Sequence, residues 1–294
     1  MILALLACGP HLPPAPDLGE LVLPAPVEGL KVRGAVVATT KMSPHLAVAG
    51  GEKHLARGPI WVFVLEHPTE GLVLVDAGYG RRTAADPKDY PGGFATRTLD
   101  LQMGRPMADL LADIGKTPDD VRHIVLTHVH TDHAGGVQDF PNATLWVSGT
   151  DWDWGRKKRT LHGVEPSAWE GREARHPDYD DGPVGPFAAH ADLFGDGTVR
   201  VVPAPGHTPG SQIVWVQGEQ RSFVFLGDVA WIAQGVEDVL PKGGLARGLL
   251  EDDWKLEMDA LARAHALLGQ PGVEVVPGHE PTDVARFPMW PQPW

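Results

Sequence analysis

Apolar residues fall into a regular order from residue 60 onward. Ile60–Leu65 and Leu72–Val75 are short β-branched and aromatic runs flanking His67-Pro-Thr-Glu-Gly71, which predicts a β-hairpin. Pro106 opens a segment whose apolar residues Met107, Leu110, Leu111 and Ile114 fall at i, i+3, i+4 and i+7. That spacing predicts an amphipathic helix stopped by Gly115. Thr117-Pro118-Asp119-Asp120 then reads as an N-cap, a first-turn proline and two acids matched to a helix dipole, ahead of a strand over His123–Leu126. Further strands are predicted at Val199–Val202, Ile213–Val216, Phe223–Leu226 and Val273–Val276, the middle two joined by a turn over Gly218–Ser222. One more helix is expected within Glu251–Leu268, with Trp254, Met258, Leu261, His265 and Leu268 on one stripe and Gly269 as its stop. On that face His265 reads as a packed helix residue without a ligand role. Residues 149–198 lack this rhythm and carry Trp152, Trp154, Trp169 and the basic cluster Arg156–Arg159. A long aperiodic stretch inside an ordered chain reads as a lid or binding loop.

Charge and composition narrow the function classes. The formal net charge of −13 argues against a surface that neutralises nucleic-acid phosphates or sits on anionic lipid. With 43% hydrophobic and 21% charged residues the chain has an ordinary globular balance. Gly 35 and Pro 28 add many turns. The one cysteine, Cys8, excludes an intrachain disulfide and any Cys-based zinc cluster, so metal chemistry must use His and carboxylates. At the N-terminus Met1–Cys8 is far too short to span a bilayer. Leu5-Leu6-Ala7-Cys8-Gly9 resembles a bacterial lipoprotein cleavage box, with lipid attached at Cys8, and the Pro-rich Gly9–Pro26 suits an extended tether. No basic n-region precedes that run, so the other reading is a cytoplasmic leader with an incidental Cys. Residues 1–29 are read as leader and tether, and 30–294 as one domain carrying the insertion at 149–198.

The 14 histidines are more informative, because they cluster. Thr127-His128-Val-His130-Thr-Asp132-His133-Ala-Gly135-Gly136 follows directly on a predicted strand and places four ligand-type side chains within six positions. In one tight loop His128 and His130 can converge on one cation while Asp132 and His133 reach a second. Imidazole and carboxylate suit zinc and similar first-row ions. One loop cannot complete two coordination shells. His207 in Pro205–Ser211, Asp228 after Phe223–Leu226, His279 after Val273–Val276 and Asp76 after Leu72–Val75 all stand just beyond strand ends, where open α/β sheets place their ligands.

These motifs, VDAG at 75–78, THVHTDHAGG at 127–136, PGHTPGS at 205–211, LGD at 226–228 and VPGHE at 276–280, occur in an order that resembles the metallo-β-lactamase superfamily. The resemblance implies an α/β fold, a four-layer αββα sandwich of two mixed sheets with metals at one edge. It implies His128, His130 and His207 on one metal, Asp132, His133 and His279 on the other, Asp228 bridging both, and Asp76 supporting the His-rich loop. The cofactors expected are two divalent ions, zinc first, with iron or manganese as alternatives.

Two such ions about 3.5–4 Å apart can hold a bridging hydroxide and polarise a substrate oxygen, so the expected reaction is hydrolysis of a small molecule, with Asp132 and Asp228 at its centre. Asp132 can carry the proton to the leaving group. The motif set looks most like the lactonase and organophosphate-hydrolase branch, which points to a lactone or carboxylic ester. Trp231 stands where quorum-sensing lactonases commonly place a tyrosine. Trp152, Trp154 and Trp231 are expected to line an aromatic substrate pocket. Alternatives are a thioesterase of glyoxalase II type, a phosphotriester hydrolase, a mononuclear iron sulfur dioxygenase, and a non-catalytic metal-binding lipoprotein.

Overall fold

A computed structural model describes residues 27–157, 163–285 and 290. Cys8, its proposed lipid attachment, and Lys158 and Arg159 of the basic cluster lie outside the described residues. No helix among the described residues is long and apolar enough to cross a membrane.

Among the described residues twelve strands, β1 Lys31–Met42, β2 Ala56–His67, β3 Gly71–Val75, β4 Gln102–Met103, β5 Val121–Val125, β6 Thr144–Trp146, β7 Ala174–Arg175, β8 Ala191–Asp192, β9 Val199–Pro203, β10 Gln212–Gln217, β11 Ser222–Phe225 and β12 Val273–Val276, form two mixed sheets. The first has the order β4-β1-β2-β3-β5-β6-β7 and the second β12-β11-β10-β9-β8. The predicted hairpin is β2–β3, paired antiparallel from Phe63↔Val75 to His67↔Gly71. Period-2 alternation in β2 explains the layering. Trp61, Phe63 and Leu65 face the second sheet and join Val201, Val214, Phe225 and Val276 in the inter-sheet core. Ile60, Val62 and Val64 face the other way, into the helical layer over the first sheet. The Phe63 and Phe225 rings meet across the two sheets with centroids 4.2 Å apart. A third cluster packs Met258, Leu261, Ala264 and Leu267 onto the outer face of the second sheet, completing helix, sheet, sheet, helix.

Several local expectations change. The segment after Pro106 is helical over Met107–Leu110 and then tightens to a 3-10 turn over Leu111–Ile114, closed by Gly115 at φ 70°. Thr117 and Asp120 form a reciprocal capping box around the short Pro118–Asp120 turn. The late helix spans Trp254–His265, starting after Asp253, whose carboxylate accepts from the N–H groups of Lys255 and Leu256. Glu251 therefore lies outside it. Its core stripe continues through Ala264 and Leu267, whereas Leu268 is 37% exposed. His265 Nδ1 lies 2.9 Å from the Val236 carbonyl, a packing role as expected.

The stretch 149–198 is not a free lid. It forms the helix Gly149–Gly155 and a 3-10 turn over Pro166–Trp169, then adds an edge strand to each sheet, β7 on β6 and β8 on β9. Aperiodicity here reflects short elements that each pack on a different layer.

Candidate metal centre

Parallel pairing brings the ligand-bearing strand ends to one edge. Val75 pairs with Val125 and Phe225 with Val276, so Asp76 emerges beside the Thr127 loop and Asp228 beside His279. Gln212 joins the sheets at that edge: its N–H donates to Thr127 O at 2.9 Å and its Nε2 to Leu126 O at 2.7 Å. The His207 loop, between β9 and β10, thereby faces the His-rich loop. Asp151 ties the same two loops, accepting from Val129 N at 2.9 Å and Gly210 N at 3.2 Å. Burial pushes its carboxyl up to about 6. Sequence reasoning missed Asp151, whose role depends on contacts across the fold.

The paired glycines serve close approach more than a special backbone angle. A Cβ on Gly135 would lie 2.4 Å from Thr131 O, and one on Gly136 2.4 Å from Ala77 O. Gly227 carries both constraints, with φ +51° and a Cβ position 2.6 Å from Thr127 Cβ. Thr127 in turn donates to Asp76 through its N–H at 2.7 Å and its hydroxyl at 2.9 Å. Gly227→Ala is therefore expected to cost about 2 kcal/mol or more and to lower metal content, read by chemical denaturation and elemental analysis.

Seven side chains converge. His128, His130, His207 and Asp228 have ligand atoms within 4.8 Å of one another, and so do Asp132, His133 and His279. Asp228 divides its oxygens between the two groups. Its Oδ2 lies 3.2 Å from His207 Nε2 and 4.0 Å from His128 Nε2, while its Oδ1 lies 3.2 Å from His133 Nε2 and 3.1 Å from His279 Nε2. Asp132 Oδ2 is 3.6 Å from His279 Nε2 and 3.8 Å from His133 Nε2. His130 Nδ1 and His207 Nε2 aim at one point from 2.9 Å apart.

The outer nitrogens are held by acceptors, which leaves the inner ones free to ligate. His133 Nδ1 donates to Asp76 Oδ2 at 2.7 Å, His207 Nδ1 to Glu251 Oε1 at 2.9 Å, and His279 Nδ1 to Pro59 O at 2.9 Å. Asp76 sits at φ 58°, an unusual conformation for a non-glycine residue, in the turn that aims it at this loop.

His128 Nε2, His133 Nε2 and Asp228 Oδ1 are buried without a hydrogen-bond partner. Orphaned polar atoms in a water-excluded cluster of this donor chemistry suit divalent cations. Burial, followed by the neighbouring imidazoles, holds His128 and His130 well below the usual histidine range, so both are neutral. Burial alone would raise the Asp228 carboxyl, yet His279, His133 and His207 together hold it well below the carboxylate range. For His207 burial opposes protonation, but Glu251 and Asp228 outweigh it and lift the imidazole to about 9.

A cleft of about 150 Å³ opens on this centre, lined by Thr40, Lys41, Met42, Tyr79, Leu99, His130, Thr131, Asp132, Gly163, His207, Asp228, Trp231, Leu250 and His279. Of the three tryptophans expected there, Trp231 lines it and donates from Nε1 to Asp228 Oδ2 at 2.7 Å. Trp154 is half-buried, its ring 6.0 Å from that of His130. Trp152 does not line the cleft. It is buried in the core beside Trp169, ring centroids 5.8 Å apart, because the Gly149–Gly155 helix turns that face inward. Met42, Leu99 and Leu250 escaped sequence reasoning, since nothing local marks a single apolar residue as cleft wall.

A profile of the metallo-beta-lactamase superfamily matches residues 55–279. The N-acyl homoserine lactonase AttM of Agrobacterium fabrum is 27% identical over 244 residues, covering 80% of this chain and 86% of AttM. Among solved structures, an N-acyl homoserine lactone hydrolase with the product N-hexanoyl-L-homoserine bound at its catalytic metal centre superposes with a TM-score of 0.68 at 20% identity, covering 89% of this chain and 98% of that one. AidC, a dizinc quorum-quenching lactonase, superposes with a TM-score of 0.63 at 16% identity, covering 94% of this chain and 92% of AidC. The matched span begins just before β2 and ends on His279, so it takes in the second sheet, every strand of the first except β1, and all seven converging side chains, and the chain belongs to the metallo-β-lactamase superfamily.

Proposed function

We propose that this protein is a dinuclear metal-dependent hydrolase that opens a lactone or a related carboxylic ester, with N-acyl homoserine lactones as the first substrates to test. The observation that carries the reading is the divided carboxylate of Asp228, one oxygen toward each ligand cluster. His128, His130 and His207 would hold one ion, Asp132, His133 and His279 the other, and Asp228 both. When bound, two divalent ions supply a hydroxide nucleophile at neutral pH and positive charge opposite a developing oxyanion.

The chain's own residues do the rest. Trp231 and Met42 give the cleft apolar wall beside the ligand clusters, against which an uncharged substrate can pack. The Trp231 N–H holds the Asp228 carboxylate in the orientation that serves both clusters. Asp132, whose side chain is 23% exposed, is the most open of the seven and faces the cleft, so it can pass a proton to the leaving alkoxide.

The test joins elemental analysis of purified protein to a panel of lactone, aryl ester, thioester and phosphotriester substrates. Two metal equivalents and the highest kcat/KM on a lactone or ester are expected. Chelation should abolish turnover, and added zinc, manganese or iron should restore it. One tightly held ion with full turnover would falsify the dinuclear reading, and a clear preference for thioester or phosphotriester would move the substrate class.

A further inference from the structure

Behind the metal centre lies a buried ammonium that the reaction itself does not use. Lys242 precedes the helix Gly244–Leu250, and its side chain is only 2% exposed. Its ammonium donates to Glu257 Oε2 at 2.8 Å and to the main-chain oxygen of Asp228, and it forms an ion pair with Glu251 Oε1 at 3.1 Å. A charged amine is expensive to bury, and this arrangement persists because two carboxylates and a main-chain carbonyl surround it. The Lys242 ammonium also lies 5.6 Å from the ring of Trp231, whose N–H holds Asp228 Oδ2.

Two of these partners, Glu251 and the Asp228 main chain, lead directly to the candidate ligands. Glu251 Oε1 accepts from His207 Nδ1 and is ion-paired with Lys242. The main chain following Glu251 is itself tied to the His207 loop: Asp252 N donates to Gly206 O at 3.0 Å and Asp253 N to the same oxygen at 2.9 Å. His207, Glu251 and Glu257 together have the spacing of a further cation cluster. The Lys242 ammonium already sits among them, so this cluster serves an internal cation.

We propose that Lys242 is a positioning residue for the metal centre: by clamping Glu251 against His207 Nδ1 and holding the main-chain oxygen of Asp228, it keeps the His207 imidazole and the Asp228 carboxylate aimed at a common ion. Retention of the ion held by His128, His130 and His207 then depends on a side chain that touches neither metal nor substrate. This rests on the dinuclear reading above.

The test is a Co²⁺ titration of chelator-stripped full-length protein against a chromogenic competitor, with thermal unfolding measured in parallel. The parent should bind two equivalents. Lys242→Met should weaken one equivalent by about 10–100-fold, the range expected when support for a ligand is lost. Glu251→Gln keeps an acceptor for His207 Nδ1 but loses the charge, and it should weaken the same equivalent by less. A folded Lys242→Met protein that binds both equivalents with parental affinity overturns the proposal. If Lys242→Met does not fold, Glu251→Gln decides in its place: weakening of one equivalent supports the proposal and parental affinity for both overturns it. A parent chain that takes up no Co²⁺ overturns the dinuclear reading along with this one, and the parental titration keeps the two failures apart.

Discussion

Replacing Asp228 with Ala is expected to produce the largest functional loss available from one side chain. Both ligand clusters draw on this carboxylate, His207 through Oδ2 and His133 and His279 through Oδ1. On the dinuclear reading, removing it takes a ligand from each ion and leaves the inner nitrogens of His133, His207 and His279 without the carboxylate that stands between them. Metal content should fall from two equivalents to one or fewer, and turnover on every substrate by on the order of 10³-fold or more. Asp228→Asn is the sharper comparison. It preserves volume and could keep one oxygen ligand, but it cannot present two anionic oxygens. A variant that keeps two ions and parental turnover would show that the clusters work independently.

The second large effect separates two tryptophans that look equivalent in the sequence. Trp152→Ala should cost about 3–5 kcal/mol of stability, because it empties a site packed against Trp169 in the largest core cluster. Among the protein that still folds, the order of preference among substrates should stay as in the parent. Trp231→Ala should have the opposite profile. Its half-buried ring lines the cleft, so the loss in unfolding free energy is smaller, while relative kcat/KM values among lactones and esters should shift by about tenfold. Denaturation curves and a two-substrate competition assay read both variants. A changed preference in Trp152→Ala with unaltered stability would reverse the assignment.

Much of the site was legible in the sequence because its ligands sit at strand ends, where an apolar run stops and a polar residue follows. His128, His130, Asp132 and His133 fall in one loop, and their proximity needs no tertiary information beyond a tight turn. His207, Asp228 and His279 could be named by the same strand-end rule, and the order of the motifs indicated the fold. Chain spacing could not show how the two oxygens of Asp228 are shared, since that depends on the parallel pairing of β11 with β12 and on the second sheet meeting the first at Gln212.

The sequence by itself determined the β2–β3 hairpin, the N-cap at Thr117 and the strand-end ligands, because each is encoded within a few residues of the element it forms. Only the tertiary structure decided which tryptophan is core and which is cleft, that residues 149–198 extend both sheets, and that Glu251 and Lys242 stand behind His207. Periodicity tells which face of an element is apolar and is silent on which layer covers that face. A buried Lys or Glu carries no local mark at all, since its partners lie on other segments. Lys242 reads as a surface residue until the Glu251 and Glu257 carboxylates and the main-chain oxygen of Asp228 close around it.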